Sequence, residues 1–250
     1  MITGASSGLG AEFARQLAAR RTDLVLVARD TEALEALAAA LAEEFSVDVE
    51  VLTADLLVQR ELDQVVRRLT DPERPVDMLV NNAGFGLPLE FARNDIEDEV
   101  RHLDLLVEVP MRLTHAALTP MIARGRGYIV NVASVAGFIP RSTYGACKGW
   151  IISFSRWANG RYAARGVTVT AVCPGFTHTN FHERMGLLPG SEGVASWMWL
   201  DAPQVVAEAL RDVARGRAVS IPSLRYKAIV ALSRLAPAGL VTRVGSRRRR

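Results

Sequence analysis

Short apolar runs set apart by long stretches of helical period constrain this chain more than any other feature. "LVLVA" (24–28), "VEVLT" (49–53), "DMLVN" (77–81), "YIVNV" (128–132) and "TVTAV" (168–172) have strand length and are rich in β-branched residues. Between them lie segments such as "TEALEALAAALAEEF" (31–45), with leucine and alanine at helical spacing. Strands alternating with helices build βαβ units, and right-handed crossovers then give a parallel sheet with helices on both faces. No internal repeat or linker divides the 250 residues. The expected fold is therefore α/β, a single doubly wound domain.

The start of the chain sits oddly with that pattern. Only Met1 and Ile2 precede the glycine-rich turn "TGASSGLG" (3–10), where a full strand is expected. The first strand of a doubly wound sheet is central, so truncating it removes buried apolar area and leaves ladder groups unpaired. Either the sheet tolerates a stub or translation starts upstream of Met1, and the second is the expectation.

Three local patterns carry chemistry. In the turn, Gly4, Gly8 and Gly10 permit a tight bend and a close approach of backbone to a pyrophosphate, which then sits at a helix N-terminus. "NNAG" follows at 81–84. The third is "TYGACKG" (143–149), in which Tyr144 stands four residues before Lys148 and so shares a helix face with it. Lysine occurs at only two positions, Lys148 and Lys227, among 30 basic residues. A retained lysine invites a chemical reading: a tyrosine of pKa near 10 is a poor acid–base at neutral pH, and a neighbouring ammonium lowers that value. A forked, planar arginine fits such a compact site poorly.

Together these motifs resemble the short-chain dehydrogenase/reductase family, in the family's order, from residue 2 to about 222. The resemblance implies a Rossmann-like catalytic domain over 1–222 that binds NAD(H) or NADP(H). It implies catalytic roles for Ser134 in "NVAS", Tyr144 and Lys148, the lysine also holding the nicotinamide ribose. It assigns the cofactor to Gly4, Ser6, Ser7, Gly8, Leu9 and Gly10, to Asp55 and Leu56 beside the adenine, and to Asn81, Ala83 and Gly84 along the channel. Pro174, Gly175, Thr177 and Thr179 in "PGFTHT" are assigned to the nicotinamide end. At the end of the second strand Ala28 stands where NAD-preferring relatives place an acid, and Arg29 follows, suited to a 2′-phosphate. NADP(H) is the expected cofactor, and a hydrophobic ketone or aldehyde, or its alcohol, the expected substrate. Asp30 is a confounder one position along.

Departures keep a second reading open, a weakly active or noncatalytic nucleotide-binding relative. By the resemblance, Leu106 stands where the family often has an asparagine that supports a relay water beside the lysine. The interval from Ser134 to Tyr144 is also short. Residues 176–200 follow no regular period, and Phe176, Phe181, Met185, Leu187, Trp197, Met198 and Trp199 suit an apolar lid over the substrate. His178 and His182 have i, i+4 spacing without a third ligand, so no metal is expected. Cys147 points away from the face of Tyr144 and Lys148, as a small buried residue.

Charge and cysteine usage bound the surroundings. Nothing acidic follows Asp212, so residues 213–250 carry ten positive charges, and a net +3 leaves −7 on the remainder. A basic tail on an acidic body is not the footprint of a nucleic-acid binder. Two cysteines suit a reducing compartment, and a cytoplasmic location is expected. Residues 223–250 form a basic C-terminal helix and tail, stopped as a helix by Pro237. That tail suits either packing on its own domain or a partner subunit, or peripheral contact with an anionic membrane. Association of the chain with copies of itself is also expected.

Overall fold

The computed structural model describes residues 1–139, 141–179 and 195–235 of the chain. Seven parallel strands form one sheet in the order β3-β2-β1-β4-β5-β6-β9. They are β1 (Ile2–Thr3), β2 (Leu24–Ala28), β3 (Val49–Thr53), β4 (Met78–Asn81), β5 (Gly127–Val132), β6 (Val167–Val172) and β9 (Val219–Ser220). A separate pair joins β7 (Thr177–His178) to β8 (Leu200–Asp201). All five residues of β2 are buried, as expected of a strand covered on both faces.

One face of the sheet carries α1 (Gly8–Ala18), α2 (Thr31–Phe45) and α7 (Ala202–Ala214). Phe13, Leu17, Leu34, Leu41, Val206 and Leu210 join that core. The other face carries α3 (Gln59–Leu69), α5 (Val109–Arg124) and α6 (Thr143–Tyr162), through Leu62, Val65, Leu113, Met121 and Ala158. The doubly wound reading of the sequence holds.

The stub strand is central and used. Ile2 pairs with Leu26 on one side and Val80 on the other. Met1 continues the ladder through its carbonyl to Val80 N (2.9 Å) and its amino group to Met78 O (2.8 Å). Ile2 is fully buried, a contribution of about 2 kcal/mol. Beyond Thr3 the chain turns towards β2 and β3 on one side, while β4 leads to β5, β6 and β9 on the other. A crevice opens at such a switch point, at the carboxyl ends of the strands.

Three further features shape that crevice. Helix α4 (Ile96–Leu103) runs into α5 through a π turn at Asp104–Glu108. Pro110 explains the change of pitch, because it lacks the N–H that would bond the Leu106 carbonyl and its ring crowds that group. Helix α8 (Leu224–Leu235), which the sequence set apart from residues 1–222, lays Tyr226, Ile229 and Val230 against the crevice. The segment of the expected lid holding Phe181, His182, Met185 and Leu187 lies outside the described residues, as does the tail beyond Leu235. Among the described residues no helix is long and apolar enough to cross a membrane.

Candidate active site

A cleft of about 1450 Å³ runs along the carboxyl ends of the strands, from the glycine turn to helix α8. Ligand pockets typically measure roughly 300–1,000 Å³, so this one has room for a large ligand or for two side by side.

At one end the turn after β1 is shaped by glycine where glycine is needed. Gly4 and Gly8 have φ of +63° and +58°. A Cβ on Gly4 would lie 2.9 Å from the Ala83 Cα, and one on Gly10 2.2 Å from the Gly4 carbonyl oxygen. Gly4, Ser6, Ser7, Gly8 and Leu9 line the cleft, whereas Gly10 does not. The role of Gly10 is to bring α1 against the turn, a correction to its assignment as a cofactor contact. Helix α1 has no acidic residue in its first turn, and its N-cap Ser7 makes no side-chain capping bond. Its first amides and dipole are left to an anion, and the cradle above them would be filled by any Cβ. The turn fits a dinucleotide pyrophosphate.

Thr3 and Asn82 hold this turn from below, a pairing the sequence reading missed. Asn82 Nδ2 donates to the carbonyls of Thr3 (3.0 Å) and Gly4 (3.1 Å). Thr3 Oγ1 accepts from the amides of Asn82 (3.0 Å) and Ala83 (3.1 Å). The doubled asparagine of "NNAG" was the available signal, but the channel role was given to Asn81. The structure corrects that. Asn81 is buried beneath the cleft, where Nδ2 donates to Asn131 Oδ1 (2.8 Å) and Thr114 Oγ1 (3.3 Å). Asn131 passes the network on to Ser155 Oγ (2.9 Å). Ala83 and Gly84 do line the cleft, and a Cβ on Gly84 would meet Leu106 at 2.8 Å.

Arg29, Asp55 and Leu56 line the same end. Arg29 stands 3.8 Å from Asp55, with its side chain 72% exposed, so the contact is a loose surface pair. Asp30 stands at the same end. Its Oδ1 caps α2 by accepting from Ala33 N at 3.1 Å, and the residue also lines the cleft beside Arg29.

At the centre stand the three residues expected to act together. Ser134 lies just past β5, and Tyr144 and Lys148 occupy the first two turns of α6, which Ser142 caps through Gly145 N (3.1 Å). Tyr144 shares a hydrogen bond with Ser134, whose Oγ also accepts from Ala136 N at 3.1 Å. Lys148 is buried, with Nζ donating to Val132 O at 2.6 Å and lying 5.6 Å from the centre of the Tyr144 ring. Burial pushes the Tyr144 phenol up to about 12, against the pull of Ser134. Burial likewise lowers the Lys148 ammonium to about 8. The expected lowering of the tyrosine by the lysine is thus absent here, because desolvation of both groups outweighs an ammonium directed at a carbonyl.

The remaining wall comes from later segments. Pro174, Gly175, Thr177 and Thr179 line the cleft, with Thr179 across from Gly8. The Tyr226 ring takes the space over Gly175, where a Cβ would lie 2.0 Å from it. Its hydroxyl accepts from Phe176 N (3.1 Å) and donates to Met198 O (2.7 Å), so α8 is tied to both ends of the expected lid. Of the expected lid residues Phe176 and Met198 line the cleft, while Trp197 is exposed and Trp199 stacks on His178 (centroids 4.7 Å apart). Cys147 is buried, as expected.

One neighbour of Tyr144 has no counterpart in the sequence reading. His102, wholly buried on α4, lies between Phe85 (centroids 5.3 Å) and Tyr144 (6.0 Å, planes at 29°). Among the described residues neither ring nitrogen has a partner at good hydrogen-bond geometry, the Phe85 backbone being the nearest, and burial lowers its pKa. A lone histidine in a helix gives no sequence signal for such a place.

Comparison with known proteins agrees with this geometry. The short chain dehydrogenase family model matches residues 1–186. A short-chain dehydrogenase from Sphingobium yanoikuyae, solved in complex with NADPH, is 36% identical at a TM-score of 0.84, covering 96% of this chain and 94% of that one. The bulky-bulky ketone specific alcohol dehydrogenase from Comamonas testosteroni is 32% identical (TM-score 0.80), covering 96% and 92%. Sulfoacetaldehyde reductase 2 of Chromohalobacter salexigens is 35% identical over 221 residues, 85% of either chain. The chain belongs to the short-chain dehydrogenase/reductase family and is an oxidoreductase.

Proposed function

We propose that the chain interconverts a carbonyl compound and an alcohol with NADP(H), using Tyr144 as the acid–base. The observation that carries this reading is the Tyr144–Ser134 hydrogen bond, set above the buried Lys148 within the cleft that begins at the glycine turn. The first amides of α1 would hold the dinucleotide's pyrophosphate, and the bound cofactor would supply hydride-transfer chemistry. Ser134 orients the carbonyl oxygen. Tyr144 gives its hydroxyl proton to that oxygen in reduction and takes it back in oxidation. Lys148 would hold the ribose, and it places a positive charge near the phenolate as it forms.

A phenol near 12 is protonated at neutral pH, as an unperturbed one is, and as a weaker acid it depends on a nearby positive charge to stabilise its anion as it forms. NADP(H) over NAD(H) is supported by Ala28 at the end of β2 and the exposed Arg29 beside it. The Sphingobium relative was solved with NADPH, and the Comamonas relative is described as specific for bulky ketones, which matches a cleft of this volume.

The test is reduction of a panel of ketones and aldehydes with NADPH and NADH, run beside Tyr144→Phe. The variant keeps the ring and loses only the transferable proton. Cofactor binding is expected to persist while turnover falls by about 10²–10⁴-fold. Normal turnover by Tyr144→Phe overturns the mechanism, and a panel without turnover favours a binding relative.

A further inference from the structure

The cleft's reacting end combines an apolar wall with two arginines outside the tyrosine–lysine pair. Leu87, Leu89, Ile139, Phe176, Met198 and Ile229 make up much of its wall. Arg101 and Arg141 also line it. Neither guanidinium makes a hydrogen bond or ion pair among the described residues, although most arginines near an acid on this surface do. Both are placed by elements that hold Tyr144. Arg101 is on the last turn of α4, next to His102, whose ring stacks on Tyr144. Arg141 comes three residues before Tyr144, ahead of the cap of α6. Among the described residues Glu90 is the one carboxylate lining this end, and it pairs with neither arginine. With Lys148 the local balance is positive.

We propose that Arg101 and Arg141 bind an anionic group at the far end of the substrate, so that the enzyme's preferred substrates carry an apolar body between a carbonyl and a carboxylate. This rests on the carbonyl-reductase reading above. The dinucleotide's own phosphates do not account for the pair, because the amides of α1 and Arg29 that suit them stand at the opposite end of the cleft. An unpaired guanidinium in a part-apolar cleft offers a fork of N–H donors matched to a carboxylate. The focused positive field also draws anions in from solution. The apolar residues that share this end of the cleft suit the substrate's body, and the reach from Tyr144 to the guanidiniums sets a preferred chain length.

The experiment uses a homologous series of unbranched keto acids, from 4-oxopentanoate to 11-oxododecanoate, each beside its methyl ester. These are reduced by the full chain with NADPH. At the best length kcat/KM for the acid is expected to exceed that for the ester by about fivefold or more, mainly through KM. The ratio falls towards one in Arg101→Gln/Arg141→Gln and at 0.5 M salt, and Arg101→Lys/Arg141→Lys recovers part of it. Both residues are exposed, so the variants fold. Esters reduced as well as or better than acids at every length overturn the inference and leave the reductase reading standing. Acid preference unchanged in the double glutamine variant also overturns it. No reduction of any member with either cofactor removes the reductase reading, and this inference with it.

Discussion

Lys148→Met separates what the buried lysine does for the reaction from what it does to the fold. Bringing the ammonium out of water lowers its pKa from 10.5 to about 8. At 1.36 kcal/mol per unit, the folded state loses about 3 kcal/mol on this group at neutral pH. Its bond to Val132 O returns about 1.5–3 kcal/mol. Methionine has nearly the same stem and no charge, so the variant at pH 7 is expected to lie between equal stability and a gain of about 2 kcal/mol. Most substitutions of a buried residue destabilise.

The pH dependence is sharper, because the carbonyl bond drops out of it. Below about pH 8 the lysine is protonated in both states and the penalty is constant. Between 8 and 10.5 the unfolded chain still holds the proton and the folded chain does not, so wild-type stability rises with pH. The variant lacks that rise. Its advantage should shrink by about 2 kcal/mol between pH 8 and 9.5, other groups cancelling between the two proteins. Urea unfolding of both proteins at pH 7, 8, 9 and 9.5 measures the difference, and carbonyl reduction should be lost throughout. A stability difference that stays constant, or grows, over this range refutes the assignment of a desolvated ammonium.

Arg29→Ala is expected to erase most of a preference for NADPH over NADH. A charge-assisted phosphate contact is worth about 1.5–3 kcal/mol, or roughly tenfold or more in Kd, and equal constants in the unaltered protein would falsify the NADP assignment. His102→Leu removes an imidazole with two unpartnered nitrogens and should leave stability at pH 7 equal or higher. Because burial lowers the histidine pKa, the unfolded chain takes up a proton below 6.5 that the folded chain refuses, and wild-type stability falls there by up to 1.4 kcal/mol per pH unit. The variant's melting temperature should drop less between pH 7.0 and 5.5, and an equal drop in both refutes it.

Much of the fold was legible because its signals are local. Parallel interior strands must be apolar on both faces, so "LVLVA" and "TVTAV" announce themselves, and helical period fills the gaps. The tyrosine–lysine spacing was legible for the same reason, since one helix face fixes it. Asn81 and Asn82 were not separable, because adjacent strand residues point to opposite sides and only the sheet says which side holds the turn. The tyrosine's pKa depended on a quantity no sequence carries, namely how deeply phenol and ammonium are both desolvated. Tyr226 lies fifty residues past Phe176, and its place over Gly175 arises only when α8 folds back across the cleft.

The centre of the cleft is costly by the rules that govern the rest of the core. A lysine and a histidine are buried beside a half-buried tyrosine, in place of apolar side chains. Behind Lys148, Asn81 Oδ1 lacks a partner as well. Four buried side-chain atoms are without a hydrogen bond among the described residues, and three belong to His102 and Asn81, on either side of the tyrosine–lysine pair. Cores avoid such atoms, each worth about 1–3 kcal/mol, unless something else requires them. Chance placement does not gather them around one helix turn. Burial moves the two groups apart, the Tyr144 phenol up to about 12 and the Lys148 ammonium down to about 8, as is common where side chains are placed for chemistry. A fold selected only for stability would fill this space with leucine, as it has at Leu106. The polar burial is what a site built for the proposed chemistry would keep.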